Sequence, residues 1–297
     1  MGLLSAKVNG ENAIQKFVLI GDHKQLPAVV QLPENQTMVE VKELHQIGLF
    51  NLRNSLFERL HWLEKNHDRS NFVGLLNHQG RMHSDIAQFV NAKFYDGKLC
   101  VVPLPHQIEK LDWQHTDNIY EQFVAQTRIG FVRIAQLKNT DNLCVNIPEA
   151  SAITKIIEAI CTLHSKNALE NFEPAKQIGI IVPFRSQISA IRNSLRKQGL
   201  ACADTITIDT VECYQGSQRD YILYSTTISE PYQVHIISNL QEIDGNIVDR
   251  KLNVALTRAR KQLFIFGNPE ILRHSPLYSD LMSYCRHLDM MSTSLIE

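Results

Sequence analysis

Short apolar runs and helix-spaced apolar stripes alternate along the 297-residue chain. Segments at 129–134, 178–182, 205–210, 221–227 and 262–266 read as strands, and the uninterrupted runs at 16–21 and 72–76 have the composition of strands too, the first of them a buried one. Between them, four sets of apolar residues fall at helical spacing: Ile86, Phe89, Val90 and Phe94; Ile153, Ile156, Ile157 and Ile160; Ile188, Ile191 and Leu195; and Leu252, Ala255, Leu256 and Ala259. Strands alternating with helices in this way predict an α/β fold, a parallel sheet with helices on both faces. Ser55, with Glu58 three residues on, predicts a capped helix start, and Ser84 predicts the cap of the helix through Phe94. The pattern weakens at 33–54 and again at 98–146, where Pro103 and Pro105 interrupt it. Residues 229–247 predict a long loop. One further helix is predicted at 277–285, after which the chain frays.

Several polar positions sit where this pattern places loops. The run at 16–21 delivers Asp22, His23, Lys24, Gln25, Leu26 and Pro27 to the carboxyl end of a strand, the edge at which open α/β sheets bind ligands. Either this is a plain polar turn, or Gln25 is a neutral sensor that donates to and accepts from a phosphate or an attacking water. Arg81, between a strand end and a helix start, is either a surface arginine or a side chain reaching across a cleft. Arg258 and Arg260 flank the last helical stripe on opposite sides, as a solvated basic face or as functional cations. At Gln215-Gly216 a tight turn allows the backbone to approach a ligand closely, since Gly216 brings no side chain.

Composition narrows the choices. Thirty basic against thirty-one acidic residues give a net charge of −1, so affinity for nucleic acid cannot rest on a broad basic surface and has to be local. The six cysteines show neither C-x-x-C spacing nor paired histidines, so the expectation is no metal site and no disulfide framework. No apolar run approaches a membrane span and the N-terminus lacks a signal-peptide pattern, from which no membrane association and a cytoplasmic location are expected.

Each motif alone is weak, but the series is not. Gly-Asp-His-Lys-Gln-Leu-Pro, Ser-Leu-Phe-Glu-Arg-Leu, Gln-Gly-Arg-Met-His, Phe-Tyr-Asp-Gly-Lys-Leu, Tyr-Gln-Gly-Ser-Gln-Arg-Asp and Leu-Asn-Val-Ala-Leu-Thr-Arg-Ala-Arg occur in this order. In that order the chain, from Phe17 to Asn268, resembles superfamily 1 helicases of the group that includes the nonsense-mediated-decay RNA helicase, in which two RecA-like domains clamp one ATP. The resemblance implies a remnant of the first RecA-like domain and a joint over 1–70, a second RecA-like motor domain over 71–268 and a tail over 269–297. It implies that Asp22 and Gln25 lie by the γ-phosphate, that Arg81 and Arg258 are arginine fingers, and that the Gly216 backbone approaches the γ-phosphate. It further implies that Thr210 and Gln215 couple the nucleotide to a single strand of DNA or RNA. Where the family has a glutamate that holds the nucleotide sugar, this chain has Gln218, and Gly80 stands in place of an aromatic residue and Ser84 in place of the usual proline. The sequence contains no G-x-x-x-x-G-K-[ST] loop and no Asp-Glu pair before Phe17. The expectation is therefore a fragment of an ATP-dependent helicase that uses ATP and Mg in its full-length parent, together with a missing N-terminal RecA-like domain, and that neither binds ATP tightly nor hydrolyses it alone. The alternative is a non-catalytic, degenerate helicase-like module that binds nucleic acid or protein. A nuclease is disfavoured, since no two-metal carboxylate cluster is present.

Overall fold

The computed structural model describes residues 6–27, 29–67, 72–135, 143–167 and 171–290. By its contacts the chain divides into two compact units, Met1–Leu75 and Leu76–Glu297. The joint expected at 70 falls among residues outside that description.

In the first unit, helix α1 (Leu56–Asn66) starts at the predicted place with a complete capping box. The Glu58 N–H donates to Ser55 Oγ at 3.1 Å and the Ser55 N–H to Glu58 Oε2 at 2.6 Å, which satisfies two donors that the first helical turn leaves open. The expected strand at 16–21 does not form. Val18 and Ile20 are 85% and 83% exposed, because among the described residues no strand lies alongside them to accept their backbone groups. The same correction applies at 72–76, where Phe72, Leu75 and Leu76 are exposed and extended pairing begins only with His78–Gln79, parallel to Cys100–Val101.

The second unit is built on one six-stranded sheet. Strands β1 (Ile129–Arg133), β2 (Ile178–Val182), β3 (Thr207–Thr210), β4 (Arg219–Ser225), β5 (Ala259–Gly267) and β6 (Arg286–Asp289) lie in the order β6-β1-β5-β4-β2-β3, every pair parallel. Side-chain alternation sends Ile180, Val182, Leu223, Phe264 and Phe266 to one face, where they form a core with Ile153, Ile156, Ile157 and Ile160 of α4 (Ile147–Lys166) and Ile191 and Leu195 of α5 (Arg185–Lys197). Ile181, Ile222, Leu263 and Ile265 point the other way and are equally buried. On that face the Tyr224 hydroxyl meets Tyr278 of α7 (Pro276–Tyr284) at 2.8 Å. Both faces are thus covered, as a parallel sheet requires. Helices α2 (Ser84–Phe94), α3 (Ile119–Gln126) and α6 (Arg250–Thr257) complete the unit.

Further expectations change here. The tail does not fray after Cys285: β6 follows at once and forms a sheet edge on β1, while 291–297 lie outside the described residues. Residues 229–247 are not a plain loop, since the short helix Val234–Ile237 is followed by a hairpin of Leu240–Ile243 and Asn246–Asp249. Asp244 and Gly245 take positive φ at its tip, the geometry of a two-residue hairpin turn. The weak stretch at 98–146 contains α3, whose N-cap is Asn118. The cap of α2 is His83, not Ser84, because its ring accepts the Asp85 N–H. Helix α6 ends at Thr257, two residues before the apolar stripe does, because Ala259 is drawn into the ladder opposite Arg219 of β4. Arg260 therefore stands on a strand, where it pairs with Asp220 at 2.7 Å, and not on a helix flank. Among the described residues no helix is long and apolar enough to cross a membrane.

Candidate functional site

Helix α6 aims the site. Asp249, fully buried, caps its start by accepting the Lys251 and Leu252 N–H groups at 3.1 Å each, and the Asn239 N–H at 2.9 Å. Its other end presents Arg258, which is 1% exposed. Arg258 donates from Nε to the Val254 carbonyl at 3.1 Å, from Nη2 to Thr257 Oγ1 at 2.9 Å and from Nη1 to the Ser217 carbonyl at 3.4 Å.

Arg81 enters from the loop before α2. Gln79 Oε1 accepts both the Arg81 and Met82 N–H groups, at 3.0 and 2.8 Å, and so fixes the loop's backbone. The Arg81 side chain then donates from Nε to Gln218 Oε1 at 2.9 Å and from Nη1 to the Thr257 carbonyl at 3.2 Å. Thr257 thus touches both arginines, one through its carbonyl and one through its hydroxyl. Among the described residues no carboxylate pairs with Arg81 and its Nη2 makes no hydrogen bond. Burial lowers the Arg81 pKa and nearby Tyr95 raises it, yet a guanidinium stays charged at neutral pH. A half-buried cation without an anion is a ready receptor for one.

The third wall is the loop between β3 and β4. Tyr214, 1% exposed, anchors it by donating from its hydroxyl to the Thr207 carbonyl at 2.8 Å. Gly216 takes φ +87°, and a Cβ added there would meet nothing within 4 Å, so the position demands glycine for its backbone and opens onto free space. Gln215 is exposed beside it, and Thr210 ends β3 half-buried. The loop is braced against α6 by Lys251 Nζ, 3.3 Å from Glu212 Oε1.

Of the residues singled out in the sequence, the fold therefore gathers Arg81, Arg258, Gly216 and Gln218 in one place, with Gln215 on the same loop and Thr210 at the strand end that leads into it. Asp22 and Gln25 belong to the first unit, where Asp22 Oδ2 accepts from Gln25 Nε2 at 2.8 Å and Asp22 Oδ1 accepts the Lys24 N–H at 3.0 Å. Sequence reasoning missed Thr257 and Ser217. A threonine directly before Arg258 was the available signal, since a helical hydroxyl that donates back to the Asn253 and Val254 carbonyls keeps its lone pairs for a neighbour. The donor set suits phosphate oxygens. Among the described residues no group of three or more His, Cys, Asp or Glu could hold a metal ion.

Comparison with known proteins fixes the family. Residues 52–270 match the family model described as AAA domain. The chain is 31% identical over 284 residues to Helicase sen1 of Schizosaccharomyces pombe, covering 95% of this chain and 14% of that protein. It is 30% identical over 284 residues to Regulator of nonsense transcripts 1 of Dictyostelium discoideum, covering 93% and 18%. The chain belongs to the AAA domain family, and its likeness is to superfamily 1 helicases of the nonsense-mediated-decay group. An uncharacterized ATP-dependent helicase of Methanocaldococcus jannaschii is 24% identical over 279 residues, covering 93% of this chain and 35% of that one. The chain thus spans between 14% and 35% of the length of these relatives.

Proposed function

We propose that the second unit is the second motor domain of an ATP-dependent helicase or translocase on single-stranded nucleic acid, and that it lends Arg81 and Arg258 as arginine fingers. The observation that carries this reading is the meeting of the two guanidiniums on Thr257, with Arg81 Nη2 open and no carboxylate on Arg81 among the described residues. ATP, with Mg, would supply a γ-phosphoryl group whose transfer builds charge on its oxygens. Arg81 would hold those oxygens through Nη2 and Arg258 by exchanging its long bond to the Ser217 carbonyl for them, both as charge-assisted hydrogen bonds, and the bare Gly216 backbone would let the phosphate come close. Thr210 and Gln215, on the loop that carries Gly216, would touch the strand and couple it to the nucleotide. Asp22 and Gln25 would attend the same chemistry from the first unit's motif.

The phosphate-cradling loop and the Mg-holding carboxylates would come from polypeptide outside this chain. The exposed run of Phe17, Val18, Leu19 and Ile20 supports that view, since an exposed apolar segment calls for a surface to cover it. The test is Arg258→Ala and Arg81→Ala in the full-length protein, with nucleic-acid-stimulated ATPase as the readout. A loss of kcat on the order of 10³-fold for each is expected of a finger. ATPase near wild type in both would remove the finger assignment. The chain by itself is expected to turn over no ATP above background.

A further inference from the structure

We infer that Gln218 positions the Arg81 guanidinium and does not hold the nucleotide sugar, the role that its place in the motif suggests. This rests on the reading of Arg81 as a finger. Three features of the chain point to it.

First, the Gln218 side-chain oxygen is engaged. Its Oε1 accepts from Arg81 Nε at 2.9 Å, while Arg81 Nη1 is held by the Thr257 carbonyl at 3.2 Å. Two of the three guanidinium nitrogens are thereby spent on fixed acceptors, which sets the plane of the group and leaves Nη2 as the one able to reach a ligand. Second, Gln218 belongs to a short stretch that governs both arginines. The carbonyl of Ser217 accepts from Arg258 Nη1 at 3.4 Å, Ser217 Oγ donates to the Tyr214 carbonyl at 2.9 Å, and the Gln218 carbonyl accepts from Arg219 Nη1 at 2.7 Å. The backbone that carries Gln218 is therefore anchored within the loop. Third, the acceptor is an amide. A carboxylate at the same distance would form an ion pair with Arg81, and a phosphate would then have to compete for the cation. A neutral oxygen orients the guanidinium and leaves its charge unspent.

The experiment is steady-state, nucleic-acid-stimulated hydrolysis of ATP and of 2′-deoxyATP by the full-length protein, comparing wild type with Gln218→Ala, Gln218→Glu and Arg81→Ala. For Gln218→Ala the expected result is a fall in kcat of about ten-fold, the loss of one hydrogen bond to a charged group, with KM within about two-fold. The ATP to 2′-deoxyATP ratio of kcat/KM should stay at its wild-type value. Gln218→Glu keeps the acceptor, so kcat should return to within about three-fold of wild type, while KM rises several-fold because the carboxylate competes with phosphate. A Gln218→Ala protein with unchanged kcat and an altered ATP to 2′-deoxyATP ratio would overturn the inference and make Gln218 a sugar ligand. Wild-type hydrolysis by Arg81→Ala would instead bring down the finger reading and this inference together.

Discussion

Glu149 is a fully buried carboxyl of the second unit, ringed by donors. It accepts from the Ser225 hydroxyl at 2.5 Å, from the Thr227 N–H at 2.9 and 3.1 Å, and from Asn146 Nδ2 at 3.2 Å. Burial pushes its pKa up to about 8 against these donors. An unfolded glutamate titrates near 4.3. The folded value lies above the unfolded one, so the stability that Glu149 contributes is fully present below about pH 4.3 and is lost as pH rises through 8. Denaturant unfolding at pH 5, 6.5 and 8 should show stability falling by about 1.4 kcal/mol or less per unit, and Glu149→Gln should flatten that slope. The same carboxyl holds Thr227 at φ +59°, a conformation that a β-branched residue resists. At the arginine site, the pairing of Arg81 with Arg258 was not readable from spacing, since they lie far apart in the chain; the motif order supplied both, and only folding brought them onto Thr257. Thr257 itself escaped notice because the apolar stripe running to Ala259 hid the end of α6, and a hydroxyl and a carbonyl become a bridge only where the helix stops.

Elements tell the same story with different outcomes. The run at 178–182 and the run at 72–76 look alike as sequence, yet the first is the buried strand β2 and the second is exposed. Hydrophobicity reports a demand for neighbours and says nothing about whether they are at hand, which is also why 16–21 misled. Strands flanked by clear helices, β1, β2 and β4, were legible because α4 and α5 supply both the partner surface and the crossover. Two elements tie the sheet to the site. Gly179 of β2 lets Tyr214 lie against the strand: a Cβ there would come within 2.6 Å of the Tyr214 hydroxyl and 2.8 Å of Arg219 Cγ. Gly179→Ala should therefore cost about 1–3 kcal/mol by overpacking and displace the loop that carries Gly216, whereas Gly216→Ala should cost only the roughly 1 kcal/mol of its positive φ, both read by urea unfolding. At the start of α6, Asp249→Ala strips the cap from three backbone donors in a buried place, and a loss of about 2 kcal/mol is expected, with Asp249→Asn recovering most of it.

The molecule as a whole carries two compact units, the second much the larger. A net charge of −1 offers little electrostatic repulsion between copies. With Val18 and Ile20 more than four-fifths exposed, the isolated chain should self-associate, and light scattering should show a larger monomer share when both are changed to Asp, Val18→Asp with Ile20→Asp. The second unit rests on a sheet in which every neighbouring pair runs the same way, so each pairing waits for a crossover. Its last strand, β6, joins β1 through Arg286 opposite Gly130, across more than half the chain. On a translating ribosome, β1 would emerge early and keep one flank bare until the closing residues of the unit cleared the exit tunnel, a long interval of vulnerability in which a chaperone would find its client.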